Sequence, residues 1–162
     1  MYDFRIETTD KAEAWRQIVV AADALTAGEP DAVANMANVA ALLFEALPEL
    51  NWAGFYRNVG GELVLGPFQG RAACIRIPFG KGVCGTAAAT LEPQLVEDVD
   101  AFAGHIACDS ASRSELVVPL VHEVELLGVL DLDSPRRARF DAGDLAFCLE
   151  LARLLAPRLA VR

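Results

Sequence analysis

From residue 10 onward, apolar side chains recur every three or four positions. Trp15, Ile18, Val19, Ala22 and Leu25 form one stripe, preceded by Asp10 and Glu13 at the spacing of a capping pair. This predicts a first amphipathic helix. Val33, Met36, Ala37, Ala40, Leu43, Phe44 and Leu47 keep the same period, starting after Pro30-Asp31 and stopping at Pro48. A second helix follows from it. The period returns near the end, where Leu145, Cys148, Leu149, Ala152, Leu155 and Leu159 share a face and Asp141 or Asp144 is placed to cap its start.

Between these helices the pattern shortens. NWAGFY and ELVLGPF are strand-like runs joined by NVGG, whose residues tolerate positive φ, so a β-hairpin is predicted. In CIRIPF, Ile75, Ile77 and Phe79 alternate with Cys74 and Arg76, which predicts a half-buried strand with Cys74 on the face opposite the isoleucines. GKGVCG breaks that strand, TAAAT suits a short helix, and QLVEDV suits another strand. AFAGHIACDSASRS reads as a long loop. ELVVPLVH and LLGVLDLD are two further strands around 123–125. Strands and helices do not alternate regularly, so the expected class is α+β, a mainly antiparallel sheet with helices packed on it.

Composition narrows the function. At 162 residues and mean hydropathy +0.31, the chain is read as one globular domain over 1–162. A net charge of -9 with only 14 Lys and Arg opposes contact with phosphate backbones, so nucleic acid is not an expected partner. The longest uncharged apolar run, at 32–44, is too short for a bilayer, and the opening MYDFRIETTDK has no secretory character. No membrane association and a cytoplasmic setting are expected. There, four dispersed cysteines (Cys74, Cys84, Cys108, Cys148) suggest thiol chemistry rather than a disulfide scaffold.

No metal site is expected: there are two histidines, His105 and His122, no CxxC spacing and no HExxH. Nor is there a Walker loop or GxSxG; GKGVCG lacks the spacing and the Ser or Thr of a phosphate cradle. What stands out is cysteine beside glycine or other small residues in three segments, GRAAC at 70–74, GKGVCG at 80–85 and GHIACD at 104–109. Exposed backbone amides in such loops can hold an anion or lower a thiol's pKa.

NWAGFY, LVLGPFQG, ACIRIPFGKGVCG, GHIACDS, SELVVPL and GVLDLDSP, in that order, resemble the free methionine-(R)-sulfoxide reductase family over about 51–140. The departures are small: Ala103 stands where the family usually has proline, and Cys148 is additional. The resemblance implies a GAF fold and a thiolate that attacks sulfoxide sulfur, releases methionine and becomes a sulfenic acid. A second cysteine then forms a disulfide, which thioredoxin reduces. It implies Cys108 as nucleophile, Cys84 and Cys74 as resolving candidates, and no bound cofactor.

The residues themselves agree with such chemistry without choosing the substrate. Breaking the S–O bond requires a nucleophile, an acid and a grip on the rest of the molecule. Asp131 and Asp133, two positions apart, point to one face of their strand, and Glu115 opens the strand with which that segment can pair. These carboxyls suit the ammonium of a free amino acid, and the amides of His105, Ile106, Ala107 and Cys108 suit its carboxylate. Trp52 and Tyr56 resemble the wall for the methyl end. Carboxylates near Cys108 would raise its pKa unless one is protonated or paired, so one is expected to be the acid, with Glu115 and Asp133 equally placed for it. Taken singly, Trp52 and Tyr56 also suit core aromatics, Asp131 and Asp133 a strand end, and Cys148 a small hydrophobe. The competing reading is a non-catalytic GAF sensor of small molecules or redox state. The oligomeric state does not follow from the residues, a homodimer being one option.

Overall fold

The computed structural model describes residues 4–104 and 110–160. Helix α1 spans Lys11–Thr26, and Asp10 caps it by accepting the Glu13 amide at 2.8 Å. Helix α2 spans Ala32–Ala46, with Asp31 accepting from the Ala34 amide. The chain then forms β1 (Trp52–Val59), β2 (Glu62–Gly70), β3 (Arg76–Pro78), helix α3 (Gly82–Thr90), β4 (Gln94–Val96) and a 3-10 turn at Val99–Ala101. Strands β5 (Ser114–His122) and β6 (Glu125–Ser134) and helix α4 (Ala142–Leu159) complete it. The six strands make one sheet in the order β3-β2-β1-β6-β5-β4, every neighbouring pair antiparallel. The α+β class read from the sequence is therefore the one observed.

Both faces of the sheet are covered, and strand parity sorts the side chains between them. Phe55, Leu116, Val118, Leu130 and Leu132 point to one face and pack with Trp15, Ile18, Leu43, Leu151 and Leu155 of the long helices. Trp52, Tyr56, Val117 and Val129 point to the other, where α3 covers them with Val83, Cys84 and Ala87. Burial on two sides explains why β5 and β6 read as nearly continuous apolar runs. Cys148 is fully buried on the long-helix side, as a small hydrophobe would be.

One sequence expectation is corrected. Strand β3 begins only at Arg76, so Cys74 precedes it rather than alternating within it. Ile75 is 71% exposed while Ile77 is buried, and Cys74 packs partly into the same cluster as Ile77. The expected opposition of Cys74 to both isoleucines fails because pairing with β2 covers just Arg76–Pro78, and period-2 alternation holds only where a strand is paired. Of the long loop, residues 105–109 lie outside the described residues, including His105, Ile106, Ala107 and Cys108.

Asp144 fastens the N-terminal helix to the last one. Its enclosed carboxylate accepts from the Trp15 indole at 2.8 Å and pairs with Lys11 at 2.6 Å and with Arg139 at 3.4 Å. Asp141 completes a capping box with it. Asp144→Ala leaves the guanidinium of buried Arg139 without this partner and is expected to cost about 3–5 kcal/mol in urea unfolding. Asp141→Ala, losing an exposed cap, is expected to cost about 1 kcal/mol.

Candidate active site

The register of the central strands builds the site. Trp52 on β1 lies opposite Asp133 on β6, which lies opposite Glu115 on β5. One step along, Gly54 faces Asp131, and Asp131 faces Val117. Glu115, Asp131 and Asp133 thus share the face that α3 covers, with Trp52 and Tyr56 beside them. Adjacent side chains across antiparallel strands sit about 4.5–5.5 Å apart at Cβ, so these carboxyls are forced together. The pairing of Asp131-Asp133 with the start of the Glu115 strand is as the sequence predicted.

Glycine permits the aromatic side of the site. A Cβ on Gly54 would come within 2.4 Å of the Phe68 Cβ and 2.8 Å of the Trp52 ring. The open position lets Trp52 stack on Phe68, with ring centroids 5.2 Å apart, and on Tyr56 at 5.8 Å. The Trp52 indole donates to the Arg71 carbonyl at 3.1 Å, fixing the ring's tilt. Phe68 was not singled out from sequence. Its signal was the hairpin register, which sets it directly across from Gly54.

Helix α3 brings the thiol. A Cβ on Gly85 would lie 2.4 Å from the Pro78 carbonyl oxygen, so only glycine allows α3 to seat this closely behind β3. Cys84, just before it, places Sγ 3.8 Å from Glu115 Oε1, where the thiol donates a long hydrogen bond. Sγ and one oxygen each of Glu115 and Asp131 all lie within 4.8 Å of one another. Lys81 occupies the cap position of α3, is exposed, and makes no side-chain capping bond.

Electrostatics there are dominated by dehydration. Burial pushes the Glu115 carboxyl well up, and Asp131 and Asp133 push it further. Burial likewise raises Asp131, to about 7, although its contact with Cys84 acts the other way. The Cys84 thiol is held well above its ordinary range by burial and then by Asp131, Glu115 and Asp133, and burial raises Tyr56 as well, with Asp131 next. Cys84 is therefore a neutral thiol at physiological pH, unlike an activated nucleophile. Cys74 is disulfide-bonded, whereas Cys84 and Cys148 are free thiols.

An antiparallel six-stranded sheet, with long helices on one face and a short helix over a cluster of carboxyls on the other, is the architecture of a GAF domain, and the sequence matches the GAF domain family over residues 33–160. The free methionine-R-sulfoxide reductase of Escherichia coli is 56% identical over 122 residues, covering 75% of this chain and 74% of that protein. Its counterpart in Saccharomyces cerevisiae is 44% identical over 154 residues, covering 90% and 86%. The X-ray structure of the free methionine-R-sulfoxide reductase of Neisseria meningitidis in complex with its substrate superposes with a TM-score of 0.95 at 47% identity, covering 99% of this chain and 97% of that one. The chain belongs to this GAF-type free methionine-R-sulfoxide reductase family. Among the described residues no helix is long and apolar enough to cross a membrane.

Two predictions test this construction. Gly54→Ala must displace Phe68 or Trp52, and is expected to lose about 1–3 kcal/mol of stability and to alter the near-ultraviolet circular dichroism of the stacked aromatics. Asp131 is a carboxyl whose folded pKa lies above its unfolded value, so the native state binds the extra proton and stability falls as pH rises from near 4 through about 7. Asp131→Asn removes that loss: its gain in melting temperature over the parent is expected to be larger at about pH 8 than at about pH 5. An equal gain at both would contradict the assignment.

Proposed function

We propose that the protein reduces free L-methionine (R)-S-oxide to L-methionine with thiol electrons. The observation that carries this reading is the convergence of Glu115, Asp131 and Asp133 beside the Trp52–Phe68–Tyr56 wall, in a chain so similar to reductases of that name. A free amino acid carries an ammonium, and three crowded carboxyls are stabilised by receiving one. The aromatic wall suits the methyl and thioether end, where sulfur packs well against rings.

In the proposed cycle the Cys108 thiol attacks the sulfoxide sulfur. A carboxyl protonates the sulfoxide oxygen, which forms a new bond to the Cys108 sulfur as its bond to the methionine sulfur breaks; that bond's electron pair stays on the methionine sulfur, so methionine leaves reduced and Cys108 is left as a sulfenic acid. Glu115, whose protonated form is favoured by burial among acids, is suited to deliver the proton, while Asp133, only half-buried, is suited to the ammonium. A second thiol then displaces the sulfenic hydroxyl as water, forming a disulfide that thioredoxin reduces by exchange. Cys74 is the better candidate for that thiol. It already stands in a disulfide, whereas Cys84 is a free thiol whose ionisation is opposed by three carboxyls. The loop 105–109, to which the sequence assigns Cys108 and the carboxylate-binding amides, lies outside the described residues.

With racemic methionine sulfoxide and thioredoxin or dithiothreitol, the R epimer alone is expected to disappear, and Cys108→Ser is expected to abolish turnover. Cys74→Ser should retain one turnover without thioredoxin recycling, while Cys84→Ser should still recycle. An N-acetylated, C-amidated sulfoxide, lacking both charged ends, is expected to be turned over at least about 100-fold less efficiently, as befits loss of two charge-assisted contacts. Binding of methionine sulfoxide with no reduction would instead identify a sensor.

A further inference from the structure

The cluster under α3 has a property that amino-acid recognition does not require. An ammonium needs oxygen acceptors, yet here a sulfur donor stands among them: Cys84 Sγ and oxygens of Glu115 and Asp131 are mutually within 4.8 Å, and all three residues are buried. Asp131, 5% exposed, has its Oδ1 fully enclosed and without a hydrogen-bond partner among the described residues. A buried acceptor left open in this way calls for a cation or a donor. In a tetrahedral zinc site, bonds of ~2.3 Å to sulfur and ~2.0 Å to oxygen put adjacent donors ~3.5 Å apart. The observed 3.8 Å between Cys84 Sγ and Glu115 Oε1 is within a small side-chain adjustment of that edge.

We propose that Cys84, Glu115 and Asp131 form a site for a thiophilic divalent cation, zinc being the biological one, and that its occupation closes the pocket to the substrate ammonium. The mixed sulfur and carboxylate donor set excludes magnesium and calcium as preferred ions, since both favour oxygen alone. Three protein donors leave one position for water, the pattern of an open zinc site. Binding replaces a proton: the Cys84 S–H proton leaves as the Zn–S bond forms. No electron transfer is involved. The donors come from α3, β5 and β6, which is why no linear metal motif marks them. The inhibitory part rests on the reductase reading above; cation binding does not.

The test uses the intact protein in its disulfide form, without added thiols. In that state the free described thiols are Cys84 and the enclosed Cys148. Titration with cadmium, as a spectroscopic substitute for zinc, is expected to give a sulfur-to-metal charge-transfer band saturating at one equivalent per chain, and calorimetry with zinc in two buffers should show proton release. Cys84→Ser is expected to abolish the band. Asp131→Asn and Glu115→Gln should weaken binding by at least about 10- to 100-fold, with circular dichroism verifying that each variant is folded. Free L-methionine should raise the apparent dissociation constant for cadmium. Absence of the band, or a band unchanged in folded Cys84→Ser, overturns the proposal. Sulfoxide turnover by metal-free enzyme, assayed separately, distinguishes failure of the metal site from failure of the reductase assignment.

Discussion

Three carboxyls crowded on one face of the central strands, Glu115 and Asp131 among them buried, are the constraint around which the rest is arranged. Glu115 and Asp133 are direct neighbours across β5 and β6, and Asp131 lies one step along. Such a cluster resists folding: dehydration and mutual repulsion both oppose its ionised form. It persists because the same strands bury Phe55, Leu116, Leu130 and Leu132 on the opposite face, against three long helices. A one-residue slip of β6 would send Asp131 and Asp133 into that apolar layer and Leu130 and Leu132 into the pocket. The apolar face therefore locks the register that the polar face needs.

The surroundings of each described cysteine set its state. Cys84 sits where every neighbouring charge opposes its ionisation, which suits a hydrogen-bond donor or a metal-displaceable proton better than a nucleophile. Cys148, enclosed among aliphatic side chains on the other side of the sheet, is inert. Cys74, just outside β3, is disulfide-bonded. The three described cysteines thus stand in different states, set by burial and by their neighbours. The same dehydration that costs stability prepares the carboxyls: a cluster destabilised when empty gains most when an ammonium or another cation arrives.

What the sequence by itself determined was what local periodicity and capping can carry. The three long helices, the Asp10 cap, the hairpin around Gly60-Gly61, and the shared face of Asp131 and Asp133 all follow from spacing, because helix and strand periods act within a few residues. The ordered motifs carry the family resemblance in the sequence itself. Tertiary structure alone decided which distant segments meet. It placed Phe68 over Gly54, set Cys84 beside Glu115 from 31 residues away, ended β3 short of Cys74, and left Asp131 Oδ1 enclosed among the described residues without a partner. Proximity across a sheet depends on register and on how closely a helix can approach. Both are settled by packing summed over the whole core, which no short stretch of sequence contains.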